Sequence, residues 1–341
     1  MTNDFPLTFH EHYPLASHNS LGFEVSAQLA AYITHEEALP LYLEHPRCIG
    51  LPYFILGGGS NIVLTQDFPG LLLKIAIPGK RLLSASEEAW LIEVNAGENW
   101  HTLVQWTLKQ GWPGLENLAL IPGSVGAAPI QNIGAYGSDI AQYCDSVRAY
   151  DTHQKKMIEL TASACCFAYR DSIFKQTPGR YIITQIRLRL PRNWQPQLHY
   201  AELAHALSAI PHPNATQIFD AVVDIRSRKL PDPKILGNVG SFFKNPLIHT
   251  ALATELKKKY PQLPIYPQSD SKTKLPAAWL IEQCGLKGLR KGPVGVYEKQ
   301  ALVLVHFGGG HGKQLLNLAH EIQAAVYAQF QVTLEAEPIF V

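Results

Sequence analysis

Tyr53-Phe54-Ile55-Leu56-Gly57-Gly58-Gly59-Ser60-Asn61-Ile62-Val63-Leu64 is an apolar run, three glycines, a polar pair and a second apolar run. Each apolar run has the pattern of a buried strand. Three successive glycines after a strand let backbone N–H groups turn toward one point and form a nest for phosphate oxygens. The dinucleotide fingerprint of the Rossmann fold needs a third glycine where Ile62 stands, and a helix where Ile62-Val63-Leu64 looks like a strand. No Gly-Lys-Ser/Thr follows, so the P-loop is excluded too. By itself the segment leaves two readings open, a phosphate-binding turn or a glycine hairpin between paired strands.

Outward from this turn, strand and helix signals alternate without a strict βαβ rhythm. Trp90–Val94 alternates like a strand. Asn99 is placed to cap a helix with Trp100, Leu103, Val104, Thr107 and Leu108 on its apolar face, ended by Gly111 and Pro113. Tyr181–Leu190 reads as a long strand, with Ile182, Ile186, Leu188 and Leu190 on one face and Gln185, Arg187 and Arg189 on the other. The proline-broken stretch 190–213 is expected to be mostly loop. A helix around Gln217–Arg226 is stopped by Leu230-Pro-Asp-Pro233, where a domain boundary is placed. Beyond it come a helix ending at Cys284-Gly285, a strand Ala301–Phe307, and a helix from about Lys313 to Phe330. Leu315, Ala319, Ile322 and Val326 form that helix's stripe, and a strand Val332–Val341 closes the chain. The pattern is α+β, with a larger N-terminal and a smaller C-terminal part.

Composition narrows the function. A chain of 341 residues suggests about two domains, and 46% apolar residues suffice for a sizeable core. Lys plus Arg is 29 against 28 Asp plus Glu, and no basic stripe appears, so no nucleic-acid partner is expected. Lys257–Lys259 reads as a solvated helix face. No run reaches membrane-spanning length, and residues 1–12 lack the apolar core of a secretory signal. Cys48, Cys144, Cys165, Cys166 and Cys284 form no C-x-x-C pair. They are expected to be free thiols in a reducing, cytoplasmic compartment, with Cys165 and Cys166 half-buried. The fourteen histidines show no metal-ligand spacing, so no metal is assigned.

Four further segments can carry chemistry. Glu116–Tyr136 is long, uncharged after Glu116, and dense in small residues (Gly123, Gly126, Ala127, Ala128, Gly134, Ala135), which permits close approach of backbone to a ligand or to another backbone. In Tyr169-Arg170-Asp171-Ser172, Arg170 can grip a carboxylate in a bidentate fork, or pair with Asp171. Gly237-Asn-Val-Gly-Ser241-Phe-Phe-Lys244-Asn245-Pro puts Ser241 on a tight turn beside an apolar wall, without a hydrolase elbow around it. In Leu334-Glu335-Ala336-Glu337-Pro338 the two glutamates share a face, which reads equally as an exposed strand face.

Taken together, Gly-Gly-Gly-Ser-Asn at 57–61, Glu-Asn-Leu-Ala-Leu-Ile-Pro-Gly at 116–123, Pro-Ile-Gln-Asn-Ile-Gly-Ala-Tyr-Gly at 129–137, Tyr-Arg-Asp-Ser at 169–172, Gly-Ser-Phe-Phe-Lys-Asn-Pro at 240–246 and Leu-Glu-x-Glu at 334–337 resemble the UDP-N-acetylenolpyruvoylglucosamine reductase family. The likeness runs from about Asn19 to the C-terminus. Trp194-Gln-Pro-Gln-Leu-His-Tyr200 resembles the subgroup whose tyrosine-bearing loop closes over the substrate. The resemblance implies a two-subdomain FAD-binding (PCMH-type) fold, residues 1–78 and 79–228, plus a smaller α+β substrate-binding domain, 229–330, with 331–341 returning to the active site.

It also implies a cytoplasmic, monomeric flavoprotein of peptidoglycan precursor synthesis. Its FAD is non-covalent, NADPH is its hydride donor, and its substrate is a nucleotide sugar whose enolpyruvyl group becomes a lactyl ether. Gly57, Gly58, Gly59, Ser60, Asn61, Ile121, Ser124, Gly126 and Arg226 align with flavin contacts. Arg170, Ser241 and Glu337 align with the catalytic trio, and Tyr169, Tyr200, Lys229 and Asn245 with substrate contacts. The family's C-terminal Leu-Glu-Pro-Glu-Val-Arg is here Leu334-Glu335-Ala336-Glu337-Pro338-Ile339, without the arginine. An oxidase of the same fold, tethering flavin through His or Cys beside the glycine turn, is disfavoured because 57–61 contains neither. A non-catalytic nucleotide-binding module leaves the Arg170 and Ser241 blocks unexplained.

Overall fold

The computed structural model describes residues 6–341, so the part of the leader reading that rests on residues 1–5 lies outside it. The chain divides into two compact units. Of the described residues, one gathers 6–13, 26–59 and 68–228, the other 14–25, 60–67 and 229–341.

In the first unit a strand Phe68–Ile75 lies between Ser26–Ile33 and Tyr53–Leu56 and runs parallel to both. Leu71, Leu72 and Leu73 are buried, as expected of a parallel strand covered on both faces. A second, antiparallel sheet holds five strands, in the spatial order Lys156–Thr161, Cys144–Asp151, Tyr181–Pro191, Ala89–Asn95 and Lys80–Ala85. Tyr181–Pro191 buries Ile182, Ile186, Leu188 and Leu190 as its alternation requires, while Arg187 and Arg189 pair with Glu93 and Asp145. The helix Trp100–Lys109 starts at Asn99, whose Oδ1 accepts from Thr102 N at 2.9 Å, and buries Trp100, Leu103, Val104 and Thr107. One hydrophobic core joins this helix to both sheets.

The second unit has its own core. It is built on an antiparallel sheet of Gly237–Ser241, Val303–His306, Val294–Val296 and Arg290–Lys291, with the helix Gly312–Phe330 packed through Leu315, Ala319, Ile322 and Val326. Ile62–Val63 pairs in parallel with Ile339–Phe340. A helix Ala277–Gln283 ends at Cys284-Gly285, where Gly285 takes φ +70°.

Several expectations change. The Gly57–Asn61 turn is no hairpin: the strand before it pairs with Phe68–Ile75 and the strand after it with Ile339–Phe340. The 190–213 stretch is mostly loop, as expected, and adds one short helix, Ala201–Ala206, where the run Ala-Glu-Leu-Ala-His-Ala is free of proline and rich in good helix formers. The closing strand is reduced to Ile339–Phe340, since Pro338 brings no N–H to a ladder. Cys165 is buried and Cys166 exposed, rather than both half-buried. Among the described residues no helix is long and apolar enough to cross a membrane.

Candidate active site

In the first unit the glycine turn is pressed against the 121–127 loop. A Cβ on Gly58 would stand 2.6 Å from Gly123 Cα, and one on Gly57 would stand 2.7 Å from Ser124 Oγ. Only glycine permits that approach, so the turn presents bare backbone. Gly126 is equally confined, a Cβ there meeting Ala96 Cβ at 2.5 Å. Lys74 Nζ, half-buried, donates to the Gly57 carbonyl, and burial pulls its pKa down. Lys74 was not read as a site residue from the sequence. Its signal was a single cation inside the apolar run Leu71-Leu72-Leu73-Lys74-Ile75.

Buried polar atoms are normally satisfied. Among the described residues the buried side-chain atoms without a hydrogen-bond partner are Asn117 Oδ1, Ser124 Oγ and Arg226 Nε. Ser124 belongs to the loop just described. Asn117 donates to the Tyr136 carbonyl at 2.8 Å and to the Gln197 carbonyl at 2.9 Å. Arg226 hydrogen-bonds the Tyr136 hydroxyl; burial, and the nearby Arg170 charge, pull its pKa down. Burial also pushes Tyr136 up to about 12. Tyr136 meets Tyr200 edge-on at 5.0 Å. Glu116, buried, accepts from Gly114 N and Trp194 Nε1, both at 2.6 Å, and so ties the Tyr200 loop to the 114–118 segment. Asn117 and Tyr136 lie within the motifs read from the sequence, but their part in this cluster needed the fold.

Arg170 takes φ +55°, and Leu120, Asn132 and Tyr136 also lie in the left-handed region. Such conformations are costly for these residues and concentrate at functional sites. Arg170 Nη2 donates to the Gly134 carbonyl at 2.7 Å, and its guanidinium lies 5.4 Å from the ring centre of Tyr169. Asp171 accepts from Ser172 N and Gln176 Nε2.

In the second unit Gly240, at φ +71°, turns the chain into Ser241, and buried Phe242 and Phe243 anchor the residues after it. Asn238 Oδ1 accepts from Gly240 N at 2.9 Å and steadies the turn. The segment then runs antiparallel to the C-terminus: Lys244 N donates to Glu335 O, Phe243 bridges Ala336, and Glu337 N donates to Phe242 O. Glu337 is thereby set beside Ser241's neighbour and buried, and its carbonyl accepts from Asn61 Nδ2 at 3.3 Å. Glu335 instead points outward to Lys244. The equal-face expectation therefore fails: both glutamates share strand parity, but only Glu337 is covered. Asn245 Oδ1 accepts from Ala277 N and helps begin the 277–283 helix, and Lys229 ends the helix Ala215–Lys229. Ser60, Asn61, Lys229, Ser241, Asn245 and Glu337 thus belong to the second unit, and the other expected site residues to the first.

The chain is 54% identical, over 97% of its length and 98% of the relative's, to a UDP-N-acetylenolpyruvoylglucosamine reductase of Cupriavidus pinatubonensis. It belongs to the UDP-N-acetylenolpyruvoylglucosamine reductase family. A Ralstonia nicotianae reductase of that name is 52% identical over 97% of this chain and 98% of its own. Residues 232–341 match the C-terminal domain model of the reductase family, and 27–159 match a model described as an FAD binding domain. The fold is also that of the reductase from Thermus caldophilus, with TM-score 0.66 at 23% identity and 98% of each chain covered. A reductase of this family needs a site for FAD, and the residues present fit one. The backbone-lined glycine cradle suits a pyrophosphate, and Ser124 Oγ and Arg226 Nε are buried polar atoms awaiting a partner.

Proposed function

We propose that Arg170, Ser241 and Glu337 carry the family's reaction in this chain. The chain is an FAD-containing oxidoreductase of peptidoglycan precursor synthesis. It reduces UDP-N-acetylglucosamine enolpyruvate to UDP-N-acetylmuramate with NADPH. FAD, when bound, supplies two-electron chemistry, accepting hydride from NADPH and passing it to the enolpyruvyl CH2. The balance is one hydride at that carbon and one proton at its neighbour, with NADP⁺ released.

Gly57, Gly58, Gly59, Ser60, Asn61, Ile121, Ser124, Gly126 and Arg226 hold the cofactor in this reading. Arg170 grips the substrate carboxylate, where negative charge collects as the enol ether is reduced, and its planar fork matches an enediolate. Ser241 Oγ delivers the proton to the α-carbon. Glu337, in its protonated form, lies beside it and donates a hydrogen bond to the same charge, which fixed donors stabilise more than they stabilise the substrate. Tyr169, Tyr200, Lys229 and Asn245 bind the nucleotide sugar, Tyr200 from the loop that Trp194 anchors. Residues 1–78 and 79–228 are the two flavin lobes and 229–330 the substrate domain, with 331–341 returning Glu337. The enzyme works as a cytoplasmic monomer, without nucleic acid.

The observation that carries this reading is the antiparallel run of 242–244 against 335–337, which covers Glu337 beside Ser241 and turns Glu335 away. An absorption spectrum of the purified protein tests it. The protein should be yellow, NADPH should bleach it without oxygen, and the enolpyruvyl sugar should restore the colour. A chain that takes up no FAD, or whose bleached form ignores that sugar, contradicts the assignment.

A further inference from the structure

We propose that His101 is a positioning residue for the flavin-facing loop, holding it through an unprotonated Nδ1, and that protonation of this one ring breaks the tie at Leu120 and loosens the loop. The inference rests on the reading of Ile121, Ser124 and Gly126 as cofactor contacts. His101 is the second residue of the helix Trp100–Lys109. Leu120 N donates to His101 Nδ1 at 2.9 Å, which requires that nitrogen to carry no proton. Leu120 itself sits at φ +56°, a left-handed conformation that a leucine does not keep unaided.

The residue beside His101 supplies two further ties. Trp100 Nε1 donates to the Leu118 carbonyl at 3.0 Å, and Trp100 N donates to the Gly123 carbonyl at 3.1 Å. One helix turn therefore fastens the loop at 118, 120 and 123, directly before Ser124. The imidazole is itself fixed, stacked on Phe219 with ring centres 5.5 Å apart and planes 8° from parallel.

Of these three ties only the His101 bond can be switched. Residues 118–124 contain no ionisable side chain, and neither do Trp100, Thr102 or Leu103 on the ring's own helix. From the 215–229 helix the charge acting on the ring is that of Arg226. A proton on Nδ1 turns the acceptor into a second donor facing Leu120 N–H, and places a cation near a guanidinium. Burial, then Arg226, pull the His101 pKa below the ordinary histidine value. The tie at Leu120 is therefore held at neutral pH and lost, loosening the loop, only on acidification beyond the usual histidine range.

The test is FAD retention by the full-length holoenzyme, with free flavin measured after ultrafiltration across a pH series, and the visible circular dichroism of bound flavin. His101→Phe keeps a ring on Phe219 but strands Leu120 N–H. It should bind FAD roughly 10- to 100-fold more weakly at neutral pH and change the dichroism. His101→Asn offers an oxygen near the Nδ1 position. It should retain FAD at neutral pH and lose the acid-triggered release step shown by the wild type. The proposal is overturned if His101→Phe holds FAD with wild-type affinity and dichroism, or if His101→Asn releases it along the wild-type acid curve. Should His101→Phe not fold, the Asn curve decides alone. A wild-type chain that takes up no FAD at all overturns the functional reading as well.

Discussion

Ser241 follows a glycine at φ +71° and precedes two buried phenylalanines, so its hydroxyl is aimed by its neighbours rather than by a helix or a long strand. A serine that only shapes a turn contributes about one hydrogen bond, so its loss would cost on the order of 1 kcal/mol and little activity. A proton donor has another signature. In Ser241→Ala, NADPH should bleach the flavin at the wild-type rate, because that half-reaction uses no serine proton. Return of colour on adding the enolpyruvyl sugar should slow by roughly 10²- to 10⁴-fold, the usual contribution of a positioned acid. Stopped-flow absorbance separates the halves, and near-normal recovery of colour removes Ser241 from the mechanism. The motif around Ser241 was legible in the sequence. Strand parity treats Glu335 and Glu337 alike; the family resemblance named Glu337, and its burial needed the fold.

The elements of the first unit are tied by a charged clamp. Glu36 follows the strand Ser26–Ile33 of the parallel sheet, while Arg148 and Thr184 lie on neighbouring strands of the antiparallel sheet. Arg148 Nε and Nη2 donate to Glu36 at 3.0 and 2.7 Å, and Thr184 Oγ1 donates at 2.8 Å. Burial works against the Glu36 charge, but the hydrogen bonds from Arg148 and Thr184 outweigh it and leave the pKa below the usual carboxylate value. A carboxylate depressed in the folded state stabilises above its unfolded pKa, and that stability is lost as pH falls through the folded value. Glu36→Gln should therefore lower stability by about 1–2 kcal/mol at neutral pH, the partial exposure of both partners limiting the effect. It should also flatten the acid limb of the stability curve. Urea titrations at neutral and acid pH check this, and an equal loss at both would show that the charge is irrelevant.

At the scale of the whole molecule, two separate hydrophobic cores each enclose segments distant in sequence. In the proposed assignment Gly57–Gly59, the 121–126 loop and Arg226 are the first unit's share of the cofactor contacts, three segments distant in sequence. Flavin binding therefore adds to that unit's folding free energy. At FAD a hundredfold above its dissociation constant the gain is about 2.7 kcal/mol, a rise of about 5–10 °C in its midpoint for a unit of roughly two hundred residues. Stripping the flavin should remove that increment, and adding FAD back should restore it in a concentration-dependent way. A midpoint that ignores FAD would place the orphaned polar atoms in some other role.

Local chemistry made much of this protein readable from the chain alone. Asn99 capped the helix it was expected to cap, the Tyr181 strand buried its alternate residues, and Gly57-Gly58-Gly59 with Ile62-Val63 excluded a Rossmann turn, because each depends on neighbours a few residues away. Tertiary structure alone decided the rest. That the glycine turn joins strands paired to different partners depends on Phe68–Ile75 and Ile339–Phe340, the second of them almost three hundred residues further on. The burial of Glu337 over Glu335 depends on Phe242 and Lys244. The stranding of Ser124 Oγ and Arg226 Nε, and the hold of His101 on Leu120, arise where helices and loops of one unit meet. Propensity and periodicity act over one or two turns of chain, whereas desolvation and hydrogen-bond satisfaction are set by whatever the fold brings alongside.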